Sequence, residues 1–194
     1  MTSSGIDAGE RFQPGSLDEW RAWLAANHTR TAGVWLVTWK AAAPGPTISY
    51  EESVEQALCF GWVDSKGRAL DAERTMLWFA PRKQRSGWSR PNKQRIERLL
   101  AADLMAPAGL AVIEAAKADG SWTLLDAVED LIVPDDLAAA FAAHPGARET
   151  WEAFPRSPKR AMLEWLVQAR KPETRARRVA EIAEKAAAGQ RARG

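Results

Sequence analysis

Two stretches of the chain open with a Ser followed three residues later by a Glu, Ser16 with Glu19 and Ser49 with Glu52. In that pattern each side chain satisfies an orphan backbone N–H at a helix start. Behind Ser16, the apolar residues Trp20, Trp23 and Leu24 recur at helical spacing and predict a helix over 17–27. Behind Ser49, Val54, Ala57 and Leu58 predict a second one reaching Phe60. Between the two, GVWLVTWK at 33–40 is β-branched and aromatic and reads as a strand, with 41–46 as its exit loop. Segments 61–66 and 75–80 read as two further strands, joined through 67–74 as a hairpin with a long connection. A small antiparallel sheet is expected from them.

Beyond Pro91 the period changes to that of helices. Ile96, Leu99 and Leu100 share a face, as do Leu110, Ile113 and Ala116 before Asp119-Gly120 stops the run. Ser157-Pro158 reads as an N-cap with a first-turn proline ahead of the stripe Met162, Trp165, Leu166 and Ala169, and Pro172 opens a last helix with Val179, Ile182, Ala183 and Ala186 on one face. The fold class is therefore α+β: a small antiparallel sheet packed with helices, followed by a helical C-terminal part. The expected organisation is a disordered arm over 1–15, one domain over 16–188 (sheet-bearing part 16–100, helical part 101–188) and a frayed tail over 189–194.

Composition changes this picture little. Hydrophobic residues make up 46% and charged residues 27% of the 194 positions, ordinary globular usage that argues against disorder and fibrous repeats. No apolar run approaches the roughly 18 residues of a membrane span, and the polar start lacks the core of a secretory signal. A cytoplasmic location is expected. The single cysteine, Cys59, excludes an internal disulfide and any multi-cysteine zinc site, and its apolar context ALCFGW predicts an inert thiol. Ten tryptophans against one tyrosine point to indoles as core anchors.

Charge is distributed unevenly although the net is only +2. Residues 82–98 carry +6 and 156–194 carry +7, against −8 over 99–155 and −3 over 1–81. Such a mosaic is expected to pair with itself in the fold.

Phosphate loops, dinucleotide fingerprints, paired-histidine metal helices and nucleophile elbows are all absent from the sequence. With His28 and His144 as its only histidines, it offers little for a histidine triad, and no metal site and no cofactor are expected. Two segments stand out. In CFGWVDSKGR, strand alternation places Trp62, Asp64 and Lys66 on one face, either as an exposed ion-paired strand face or as a polar pocket wall with an aromatic floor. In FAPRKQRSGWSRPNKQR, six cations (Arg82, Lys83, Arg85, Arg90, Lys93 and Arg95) surround Trp88, with Ser89 and Asn92 as short hydrogen-bonding groups. Lying between a strand and a helix start, this loop suits a phosphate or carboxylate.

At these residues the chain resembles a bacterial family, the YdeI/OmpD-associated or bacteriocin-protection proteins. The resemblance is carried by YEESVEQALCFGWVDSKGR at 50–68, FAPRKQRSGWSRPNKQRIERL at 79–99 and RKPETRARRVAEI at 170–182, and runs from about Leu17 to Ile182. Where the family tends to read TPRKPKS-x-WS, this chain reads APRKQRSGWS, keeping Arg82, Lys83, Ser86, Trp88 and Ser89 but holding Gln84 in place of a proline. The resemblance implies stress tolerance, or resistance to toxic compounds, and brings no catalytic residues with it.

Three functional readings follow. The first is a binding or protection protein whose pocket, lined by Trp62, Asp64, Lys66, Arg82, Lys83, Trp88, Ser89 and Asn92, takes a small anionic or aromatic ligand. The second is a cofactor-free, metal-free isomerase, cyclase or hydrolase using Asp64 as general acid or base. The third is weak nucleic-acid binding through the basic segments.

Overall fold

The computed structural model describes residues 8–193, and its chain divides into two compact units, one made of residues up to Ser86 together with Pro91–Ser121, the other of Gly87–Arg90 and Trp122 onward. The sheet-bearing part expected over 16–100 thus extends to Ser121.

The first unit is built on a four-stranded sheet in the order β1-β2-β4-β3, with β1 Arg11–Phe12, β2 Val34–Trp39, β3 Trp62–Ala69 and β4 Arg74–Pro81. β2 and β3 run antiparallel to β4, whereas β1 pairs parallel with β2 through Arg11 opposite Trp35. The sheet is therefore mixed where an antiparallel one was expected, because part of the arm expected to be disordered supplies its edge strand. Residues 1–7 of that arm lie outside the described residues. The hairpin is also tighter than expected: both strands run longer than the apolar pattern indicated and only Leu70–Glu73 connect them.

Both N-terminal helices start where the Ser/Glu signals place them, α1 over Leu17–Asn27 and α2 over Tyr50–Cys59. Ser49 and Glu52 close a full capping box, with Glu52 N–H on Ser49 Oγ at 3.2 Å and Ser49 N–H on Glu52 Oε2 at 2.9 Å. At α1 the Ser16 half forms, but Glu19 reaches one residue further back and accepts from Gly15 N–H at 2.7 Å. Trp20 and Leu24 of α1 are fully buried; Trp20 tilts against Phe79 of β4 at 5.3 Å and donates its Nε1–H to Ser53 O at 3.1 Å. The unit is completed by α3 Arg90–Ala101, all but its first residue, and α4 Pro107–Ala118, whose Gly109 lies directly on the Cys59 carbonyl.

The second unit is helical: α5 Asp126–Glu129, α6 Asp135–Ala143, α7 Ala147–Ala153, α8 Arg156–Val167 and α9 Pro172–Ala187. Its core gathers Leu137 and Phe141 of α6, Trp151 of α7, Met162 and Leu166 of α8, and Ile182 and Ala183 of α9. Pro172 opens α9 as expected, but α8 begins at Arg156 with Pro155 in the cap position, so Ser157 sits inside the first turn instead of capping it. The tail is tied back: Gln190 N–H donates to Lys185 O at 2.8 Å, and the Arg193 guanidinium stacks 4.4 Å from the Trp165 ring, which also carries Arg178 at 4.8 Å.

Candidate functional site

The strand β3 brings Trp62 and Asp64 to one face, because residues two apart on a strand point the same way. A register shift between Asp64 and Gly67 then inserts one extra residue opposite β4, so Lys66, an exposed side chain, does not continue that alternation. Trp62 is 0% exposed, packed edge-on against Trp23 at 5.7 Å and donating Nε1–H to His28 O at 3.3 Å. Its indole is a core anchor, which removes the aromatic floor that the sequence reading gave to the pocket. Trp88, 1% exposed and tilted against Trp122 at 5.0 Å, is likewise packed, and with Ser89 it belongs to the second unit.

Asp64 is half-buried and accepts a hydrogen bond from the Tyr50 hydroxyl at 3.0 Å. Burial, and then the Asp64 charge, push the Tyr50 hydroxyl above its ordinary value. The Tyr50 ring is itself 54% exposed and has the Arg95 guanidinium over it at 5.8 Å. Arg95 makes three hydrogen bonds: Nε and Nη2 to the two oxygens of Glu51 at 3.0 and 2.6 Å, and Nη1 to Asn92 Oδ1 at 2.8 Å. Arg98 extends the ladder to Glu51 at 2.7 Å and Glu55 at 2.8 Å. The Glu51 carboxyl is held below its usual range, first by its hydrogen bonds from Arg95. Within the first unit, then, α2, β3 and α3 converge on a small polar wall made of Asp64, Tyr50, Arg95 and Asn92.

Arg82, at the end of β4, donates Nη2–H to Ser86 O at 3.3 Å, and burial pushes its guanidinium down to about 10. Lys83 is exposed and its carbonyl closes the following turn, accepting from Ser86 Oγ at 2.6 Å. The turn holds Arg85 at φ +58°, in the left-handed region. Cys59 is buried and its thiol is pushed up by that burial, which disfavours the reactive thiolate.

Of the eight residues read from sequence, Asp64 and Asn92 meet in the Tyr50–Arg95 wall, while Trp62 and Trp88 go to cores. Tyr50 and Glu51 were missed. The single tyrosine of the chain, at the head of a long motif, was the available signal. Also missed was a groove of 370 Å³ between α6 and α9 in the second unit, with the ion pair Asp136–Arg175 and His144 in its lining. Among the described residues no group of three or more His, Cys, Asp or Glu side chains is placed to hold a metal ion, and no helix is long and apolar enough to cross a membrane.

A family model described as "Domain of unknown function (DUF8412)" matches residues 12–112, just over half of the 194 residues. The chain belongs to this family. A second model, "Bacteriocin-protection, YdeI or OmpD-Associated", matches residues 130–189 and so takes in the groove helices and the RKPETRARRVAEI stretch. The stretches at 50–68 and 79–99, which carried the same resemblance in the sequence, fall inside the DUF8412 match. No curated protein and no solved structure matches the chain.

Proposed function

We propose that the chain is a protection protein of the bacteriocin-protection type, acting in stress tolerance by binding a small anionic or aromatic molecule at the polar wall around Asp64. The observation that supports this reading is the Tyr50–Asp64 hydrogen bond of 3.0 Å beside a half-exposed phenol ring with Arg95 over it. An aromatic surface, a carboxylate and a guanidinium then lie within one small patch, the mixture that orients a ligand through a few polar groups and holds it by ring contact. Asn92, Lys66, Arg82 and Lys83 of the same unit complete the set of groups carried by this reading; Trp62 and Trp88 act in it only as packing.

The test is a thermal-shift series on the purified chain against acidic metabolites, aromatic compounds and short oligonucleotides. A ligand at a hundred times its dissociation constant adds roughly 2.7 kcal/mol, a rise in Tm of about 5–10 °C for this size. Tyr50→Phe and Asp64→Asn should each abolish the shift while leaving the unliganded Tm within about 2 °C. A shift that survives both substitutions removes the wall from the reading. Turnover of the ligand that Asp64→Asn abolishes while binding persists would replace binding by acid–base catalysis, and a response confined to oligonucleotides and erased by salt would replace it by nucleic-acid contact.

A further inference from the structure

The groove between α6 and α9 is walled by short or rigid side chains, Ala140 on α6 and Pro172, Ala176 and Ala180 on α9, with Val179 at its base. Its 370 Å³ falls within the roughly 300–1,000 Å³ typical of small-molecule sites. Alanines on facing helices leave a slot that a flat body can enter.

Its polar groups define the head that such a body would carry. Arg175 grips Asp136 through Nε to Oδ2 at 2.6 Å and Nη2 to Oδ1 at 3.0 Å, and Oδ1 also accepts from Leu137 N–H at 2.9 Å. The carboxylate is held below its ordinary range chiefly by those Arg175 hydrogen bonds. The charges of the pair are thus matched within the lining, while among the described residues Nη1 of Arg175 and one lone pair on Oδ2 are left over. His144 places Nδ1 2.8 Å from Ala140 O; a carbonyl only accepts, so Nδ1 carries the hydrogen and Nε2 is the ring nitrogen left to face a ligand. A ligand bearing a net charge would meet an equal and opposite partner already satisfied, whereas a neutral group with both donor and acceptor meets unfilled capacity.

We propose that this groove binds a small uncharged molecule with a flat apolar body and a carboxamide-like head, the amide engaging Arg175 and Asp136 and the body lying between Ala140 and Ala176. The site is separate from the wall around Asp64 and does not depend on the reading given for it.

Three probes with one ring and three heads test the proposal: benzamide, benzoate and benzamidinium, each titrated into the full-length 15N-labelled chain and followed by backbone amide shifts. Benzamide should give saturable shifts concentrated in α6 and in the first half of α9, with the two charged probes about tenfold weaker, since Asp136 repels benzoate and Arg175 repels benzamidinium. Ala176→Phe, at an exposed position, should fill the slot and weaken benzamide about tenfold at unchanged Tm; should that variant melt early, Ala180→Leu makes the same comparison. No saturable shifts at α6 and α9, or benzoate or benzamidinium binding there as tightly as benzamide, overturns the proposal, as does wild-type affinity in a variant that keeps its Tm.

Discussion

At the scale of single residues, one position with no room for a side chain is a glycine within a helix. An ideal Cβ on Gly109 would stand 2.3 Å from Cys59 O and 2.8 Å from Cys59 C, and that carbonyl is already fixed by Ala106 N–H at 3.1 Å. Helix propensity alone gives Gly→Ala a gain of about 1 kcal/mol. Steric overlap with backbone that cannot retreat typically costs about 1–3 kcal/mol, so the clash decides the sign. Gly109→Ala should lower the urea midpoint by the equivalent of up to about 2 kcal/mol with the slope unchanged. Gly120 is the control: nothing lies within 4 Å of its would-be Cβ, yet its φ of +80° makes Gly120→Ala cost about 1–2 kcal/mol through the backbone alone. A stabilised Gly109→Ala would mean that α4 does not seat on the end of α2 as described.

At the scale of elements, much was legible because the signals are local. Ser49 and Glu52 mark the start of α2, and both halves of the box form. Ser49→Ala should cost about 1 kcal/mol, and Ser49→Gly only a few tenths, as read from equilibrium unfolding; no loss in Ser49→Ala would show that the hydroxyl is not what caps the helix. The mixed sheet was not legible, since β1 is two residues long and its two-residue pairing with β2 leaves no apolar run to read. Nor was the bulge read, although Gly67 within the strand pattern was its signal, glycine being common where a strand gains a residue. That one residue broke the alternation on which the expected grouping of Trp62, Asp64 and Lys66 rested. The candidate site failed to read for a different reason: Arg95 meets Glu51 from 44 residues away and Arg175 meets Asp136 from 39 away, and no local period encodes such pairs.

At the scale of the whole molecule, part of the charge mosaic is paired inside each unit. In the first, the basic run supplies Arg95 and Arg98 to Glu51 and Glu55; in the second, Arg160 and Arg156 converge on Glu129, Lys159 takes Glu152 and Arg175 takes Asp136. Glu129 is the deepest of these carboxylates, its side chain 8% exposed and receiving Arg160 Nη2 at 2.8 Å. Glu51, Asp136, Glu152 and Glu129 are all held below their ordinary values, and in each case hydrogen bonding to the partnering cation is the largest cause. A carboxylate depressed in the folded state contributes stability that is complete above its unfolded value, about 3.9 for Asp and 4.3 for Glu. That contribution is lost as pH falls through the folded value. Tm should therefore stay nearly level from pH 7 to about 5 and fall steeply below about 4. Glu129→Gln isolates the buried member of the set. At pH 7 it should cost about 1.5–3 kcal/mol, the size of a hydrogen bond between charged groups, or a Tm lower by about 4–10 °C. Once the pH has fallen below the depressed folded value, the wild-type carboxyl is itself protonated, so the two melting curves should converge there. A gap that persists undiminished in acid would place the loss in packing around Glu129, and would leave the acid-sensitivity of the fold to the exposed pairs, whose individual contributions are within about 1 kcal/mol.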